Sequence, residues 1–172
     1  MFRIVLCLLL VTAAGCGYTT GSLLPGKYKK ITILPFRNKI SNFNVDSSTI
    51  YVPGLETQVT TAIIDRFLFD GNLRVVKPQE ADLILSGALT GIAQDELRQD
   101  VNQNVQEYRI RIIVAMTLKD AATGKVLWRE PSFTGESTYF LTGPQAQSQS
   151  SAISTALTDL ATRAVERTVE NW

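Results

Sequence analysis

Apolar and polar positions alternate most clearly over residues 106–128. Tyr108, Ile110, Ile112, Val114, Met116 and Leu118 fall on one side of an extended chain. Glu107, Arg109, Arg111, Thr117 and Lys119 fall on the other, with Ile113 and Ala115 among them. A period of two carried by β-branched and aromatic residues predicts a half-buried strand. Residues 120–124 supply a turn: Asp120 suits its entrance, and Gly124 tolerates the positive φ of a short hairpin loop. Setting Lys119 opposite Lys125 puts Leu118 opposite Val126 and Met116 opposite Trp128, all on the buried face. This hairpin is the expected centre of the fold.

The flanking segments fit around it. Residues 30–36 read as a first strand, with Pro35 at its end or on an edge. Residues 37–52 are polar and irregular. Pro53-Gly54 opens a helix, with Pro suited to the first turn. Its stripe is Leu55, Val59, Ile63 and Phe67, widened by Ala62 and Leu68, and Gly71 is the expected C-terminal stop. Residues 73–76 form a short extended piece, and residues 81–92 a second long strand. Leu83, Leu85 and Leu89 share a face of that strand, and Gly87 and Gly91 mark bends or bulges. Residues 94–104 read as a polar connector carrying Asp95 and Glu96. The strand after Lys125 meets Pro131 and resumes beyond a bulge over residues 133–140. A last helix carries Ile153, Ala156, Leu157, Leu160, Ala161, Ala164, Val165 and Val169 at helical spacing. The order β-α-(β)-β-β-β-α predicts an α+β two-layer sandwich. Its sheet is mixed and mostly antiparallel, with four main strands plus a short one, packed by two helices. The first helix serves as a crossover between parallel strands.

The N-terminus follows another logic. Arg3 precedes an apolar run over residues 4–11, and small residues lead to Cys16. This is the layout of a secretory signal, too short to span a bilayer. An ordinary signal peptide containing a cysteine is the plainer reading. The sharper one is that Ala13-Ala14-Gly15-Cys16 resembles the bacterial lipobox, with Ala13 where Leu is usual. Residues 1–15 are then removed, Cys16 is the lipid attachment site, residues 16–29 are the lipidated Cys and tether, and residues 30–172 form one domain. Two or more acyl chains give stable anchoring. Gly17, where inner-membrane lipoproteins of the enteric type carry Asp, favours the outer membrane.

Composition narrows the chemistry. The 172 residues carry a net charge of +1, so no global field invites nucleic acid. Histidine is absent, which removes the commonest general base and zinc ligand. The two cysteines, Cys7 and Cys16, both precede the domain, so it holds neither a disulfide framework nor a cysteine metal site. No nucleophile stands with a base, and no glycine-rich phosphate loop is present. Asp46, Asp95 and Glu96 lie in polar stretches where solvated carboxylates are the ordinary case. What remains is basic. Arg109 and Arg111 point away from the core, Arg129 lies across from Ala115 on the same face, and Lys119 and Lys125 stand near the turn. Such a face could meet phosphates. A solvated polar face is the ordinary alternative.

With these features together, the chain resembles the LptE family of LPS-assembly lipoproteins. The resemblance is carried by Cys16-Gly17-Tyr18, residues 30–36, Leu55-Glu56, residues 74–76, Ala81-Asp82, residues 85–87, Tyr108-Arg109 and residues 123–128. It is weakest over 37–52, 94–104 and 140–152, and Thr19-Thr20 departs from the family's basic-then-apolar pattern. It implies a non-enzymatic lipoprotein at the outer membrane, without cofactor or metal. The implied partners are a large β-barrel LPS translocon, which the protein helps assemble and partly plugs, and LPS itself. Under that reading Arg109, Arg111, Arg129, Lys119 and Lys125 become candidate LPS contacts. The opening strand and residues 81–87 also resemble small periplasmic lipoproteins of secretion channels and activators of cell-wall synthases. Residues 123–128 favour the first family.

Overall fold

The computed structural model describes residues 26–40, 50 and 52–170. The expected signal segment, Cys16 and most of the tether lie outside the described residues.

In chain order the elements are β1 (Lys30–Ile33), β2 (Arg37–Asn38), α1 (Leu55–Asp70), β3 (Arg74–Val75), a 3₁₀ turn (Pro78–Glu80), β4 (Leu83–Gln99), β5 (Val105–Asp120), β6 (Val126–Phe140) and α2 (Gln149–Val169). The sheet runs β3-β1-β4-β5-β6, and β2 pairs further along β4. β1 is parallel to both neighbours, whereas β4, β5 and β6 form an antiparallel meander. This is the expected α+β arrangement of a mixed sheet with two helices.

The core lies between sheet and helices. Leu83, Leu85, Leu89 and Ile92 of β4 are buried beside Ile110, Ile112, Val114, Met116 and Leu118 of β5. Each large side chain contributes about 1.5–3 kcal/mol when fully buried. α1 adds Leu55, Val59, Ile63 and Phe67, as its spacing predicts, whereas Leu68, expected to widen the stripe, is 62% exposed on the solvent side. α2 adds Ile153, Leu157, Leu160 and Val165, with Ala156, Ala161 and Ala164 between them. Those alanines let α2 settle close to the sheet. At Gly135 a side chain would run into Leu160 and the Ala156 carbonyl, so the absence of a Cβ sets the approach.

The meander departs from the expected register. Leu118 faces Trp128 and Met116 faces Glu130, while Lys119 faces Val126. Leu127 is an extra residue in the ladder, and this bulge turns Trp128 rather than Val126 into the core. Trp128 is 7% exposed and Val126 40%. A second bulge falls at Pro131 and Ser132, between the Met116–Glu130 and Val114–Phe133 pairs. It absorbs a residue that has no amide to donate.

Two further expectations change. Residues 94–99 are not a connector: β4 continues to Gln99, so Asp95 and Glu96 stand on a strand. Its outer half is polar on both faces because it runs past the helices, which erases the alternation. Pro53 is not in the first helical turn. Gly54, at φ 70°, is the N-cap of α1 and Leu55 the first helical residue. Gly71 ends the helix as expected, at φ 75°, its amide donating to the Phe67 carbonyl at 3.1 Å.

The outer edge of β6 is partly blunted by α2. Asp159 accepts the Glu136 amide at 2.9 Å, and Arg163 donates to the Thr134 carbonyl. Such side chains occupy groups that would otherwise template another strand.

Candidate functional site

The sheet face away from the helices carries a groove of about 760 Å³. Ser86 and Ala88 of β4 and Ala115 and Thr117 of β5 form its floor. Small side chains at these alternating positions leave the depression. One wall is the segment linking β1 to β2, Leu34 to Arg37, followed by Lys39. The other is Arg129 with Glu130 and Pro131 at the β6 bulge.

Local structure fixes both walls. The Phe36 ring is buried and lies over Gly87, where a Cβ would clash with it. The Phe36 amide donates to Thr60 Oγ1 of α1 at 3.0 Å. Arg37 then pairs with Ala88, and the Lys39 amide donates to the Leu89 carbonyl at 2.8 Å. Across the groove, Arg129 pairs with Thr117, not with Ala115.

The charge of the groove is positive. Arg37, Lys39 and Arg129 have no carboxylate within ion-pair distance among the described residues. Among the described residues the one carboxylate on the rim is Glu130, and it is held by Arg167 of α2 at 3.0 Å. A Lys or Arg cluster above a floor of small side chains, with Ala88 and Ala115 between the hydroxyls of Ser86 and Thr117, suits an anionic group attached to a slender apolar body.

The residues expected to form one basic face are distributed along it. Arg111 makes a two-pronged contact with Asp95, at 2.5 and 2.9 Å. Arg109 lies 3.9 Å from Glu136. Arg129 stands at the groove, while Lys119 and Lys125 flank the β5–β6 turn. Ten residues separate Arg109 from Lys119, about 34 Å of strand, so one small headgroup cannot touch both. Arg37 and Lys39 escaped the sequence reading because residues 37–52 carry no periodicity. The available signal was the alternation of Arg37 and Lys39 directly after a proline-ended strand.

The turn end of the sheet holds a second polar cluster. Asp120 accepts the Tyr28 hydroxyl at 2.8 Å and lies 3.4 Å from Lys27. It also accepts the Ala122 and Thr123 amides at 3.0 and 2.9 Å. The Thr123 amide first, then the Tyr28 hydroxyl, hold its carboxyl well below the usual carboxylate range. Tyr28, read from sequence as part of the tether, is therefore buried in the domain.

Among the described residues, no cluster of three metal-ligating side chains occurs, and no helix is long and apolar enough to cross a membrane.

The family model for LptE, described as lipopolysaccharide assembly, matches residues 28–171. Comparison with curated proteins gives no match. Among solved structures, a Xanthomonas campestris protein superposes with a TM-score of 0.58 at 12% identity, over 84% of this chain and 88% of its own. A hypothetical protein from Chlamydia trachomatis gives 0.52 at 12% identity, over 82% and 95%. A single-substitution variant of the PelC dodecamer from Paraburkholderia phytofirmans gives 0.51 at 16% identity, over 87% and 96%. At these identities the likeness is one of fold.

Proposed function

Because this chain belongs to the LptE lipopolysaccharide-assembly family, we propose that it is a non-enzymatic lipoprotein of the outer membrane that binds LPS and partners the β-barrel LPS translocon. Cys16 carries the lipid anchor in this reading. The observation that supports LPS binding is the groove: Arg37, Lys39 and Arg129 stand over a floor of small residues, with no carboxylate at ion-pair distance among the described residues. LPS joins phosphates to acyl chains. An arginine fork suits the phosphate, and the Ala88 and Ala115 floor suits a hydrocarbon segment. Lys119 and Lys125 extend the same positive face toward the turn. Arg109 and Arg111 are charge-compensated and rank behind Arg129 as contacts.

The fold by itself does not separate this reading from other small envelope lipoproteins; the family match favours it. Two measurements test it. LPS binding by purified protein is expected to weaken about tenfold, or about 1.4 kcal/mol, in Arg37→Glu/Arg129→Glu. Unchanged binding by a folded double variant removes the groove. Crosslinking of the anchored protein followed by mass spectrometry is expected to recover a large outer-membrane β-barrel. A cell-wall synthase or a secretion component in its place would overturn the translocon partnership.

A further inference from the structure

The charge of the groove depends on a contact made on the other side of the sheet. Arg129 and Glu130 are neighbours in β6, and the ladder sends them to opposite faces. Arg129 lies opposite Thr117, which stands on the groove floor. Glu130 lies opposite Met116, which is buried under the helices. β6 is the last strand on its side of the sheet, so its outer edge joins the two faces. Pro131 and Ser132, next along that edge, are exposed and leave the way round it open. A Glu130 side chain without a partner can therefore turn to the groove side and meet Arg129.

Arg167 holds it back. This residue stands in the last turn of α2, and its Nε donates to Glu130 Oε1 at 3.0 Å. The guanidinium has a shelf of its own: it lies over the Trp128 ring, 5.3 Å from the centroid. Trp128 faces inward because of the bulge at Leu127. Bulge, ring, guanidinium and carboxylate thus form one chain of contacts that ends at the groove rim. The Arg167 and Glu130 side chains are 28% and 33% exposed, so water screens this pair less than one in open solvent.

We propose that Arg167 is a positioning residue for the groove. It keeps the Glu130 carboxylate on the helix side of β6 and leaves Arg129 to an anionic ligand. Without Arg167, Glu130 competes with the ligand for Arg129. An exposed ion pair of that kind is weak, which limits the competition to about three- to fivefold in affinity. The inference rests on the LPS-binding reading of the groove and deepens it, by naming the residue that keeps the groove open to anions.

The test measures LPS binding by the purified full-length protein and three variants. Arg167→Met keeps an apolar stem on Trp128 and drops the cation. Glu130→Gln drops the carboxylate, and the third variant combines the two. Arg167→Met is expected to weaken binding about three- to fivefold. Glu130→Gln alone should stay within about 1.5-fold of wild type, and the double variant should return to the same range. That rescue is what a packing role would not give, because lost packing at Trp128 persists in the double variant and competition does not. Wild-type affinity in Arg167→Met, or a loss that persists in the double variant, overturns the proposal. Glu130→Asp leaves α2 untouched and covers the case in which Arg167→Met does not fold. It draws the carboxylate one methylene back from Arg167 and should bind about twofold more weakly than Glu130→Gln. Equal affinities of the Asp and Gln variants overturn the proposal as well. Arg37→Glu/Arg129→Glu in the same assay separates the two readings. Unchanged binding there removes the groove and this proposal with it. A loss there, with Arg167→Met at wild-type affinity, removes the positioning role alone.

Discussion

Tyr28 donates its hydroxyl to Asp120 at 2.8 Å across a separation of 92 residues. The bond ties the start of the folded chain to the turn between β5 and β6. Asp120 is buried and ionised there because four donors converge on it, which depresses its pKa. A depressed carboxylate contributes stability that is present above its unfolded value of about 3.9 and is lost as pH falls through the folded value. Asp120→Asn should therefore lower the urea midpoint by a constant amount between about pH 5 and 7, with the gap closing below about pH 4. Urea titrations across that range check it. A gap that persists undiminished at the acid end would show that the charge is not what stabilises the turn.

Gly135 faces α2 with no room for a side chain. A Cβ there would overlap Leu160 and approach the Ala156 carbonyl to 2.5 Å. Neither can move without shifting the helix off β6. Gly135→Ala is expected to cost about 1–3 kcal/mol, as overpacking does in a filled core. Gly91→Ala is the control: its Cβ would meet the Ile113 side chain at 3.5 Å, an ordinary contact. Chemical denaturation of both variants checks the contrast, and equal midpoints would mean that α2 is not pinned at this point.

How far these relationships could be read beforehand depended on burial. Where one face was covered by a helix, the period showed: Leu55, Val59, Ile63 and Phe67 of α1, the alternation of β5 and the long stripe of α2 lie where their spacing predicts, and only Leu68 at the margin of the α1 stripe falls outside. Where both faces are wet, as in the outer half of β4, the signal vanished and a strand looked like a connector. Register was not legible either, because a bulge at Leu127 slides Trp128 into the place expected for Val126 without changing the turn residues. The site suffered most. A basic face was readable from parity, but which cations are already neutralised depends on partners supplied by other strands. Arg37 and Lys39 reach the groove only through the short parallel pairing of β2 with β4.

Asp95 and Arg111 show how far partners reshape that face. The ladder sets Arg109 directly opposite Asp95, and Arg111 directly opposite Glu136. The ion pairs nevertheless cross on the diagonal, Arg111 to Asp95 and Arg109 to Glu136. Two cations and two carboxylates thus form a neutral square. All four side chains are between 32% and 49% exposed, so solvent screens them and each pair is worth about 0.2–1 kcal/mol. The square predicts an asymmetry. Asp95→Asn leaves Arg111 beside Glu136, its direct cross-strand neighbour, and should change stability little. Arg111→Gln leaves two carboxylates with Arg109 alone and should cost more, within the same range. A double-mutant cycle on Asp95 and Arg111 should return a coupling inside those limits. Because the groove lies elsewhere along the strands, Arg111→Gln should leave LPS affinity within about twofold, under about 0.4 kcal/mol. A tenfold loss in a variant of unchanged stability would instead place Arg111 among the ligand contacts and remove the distinction between compensated and free arginines on this face.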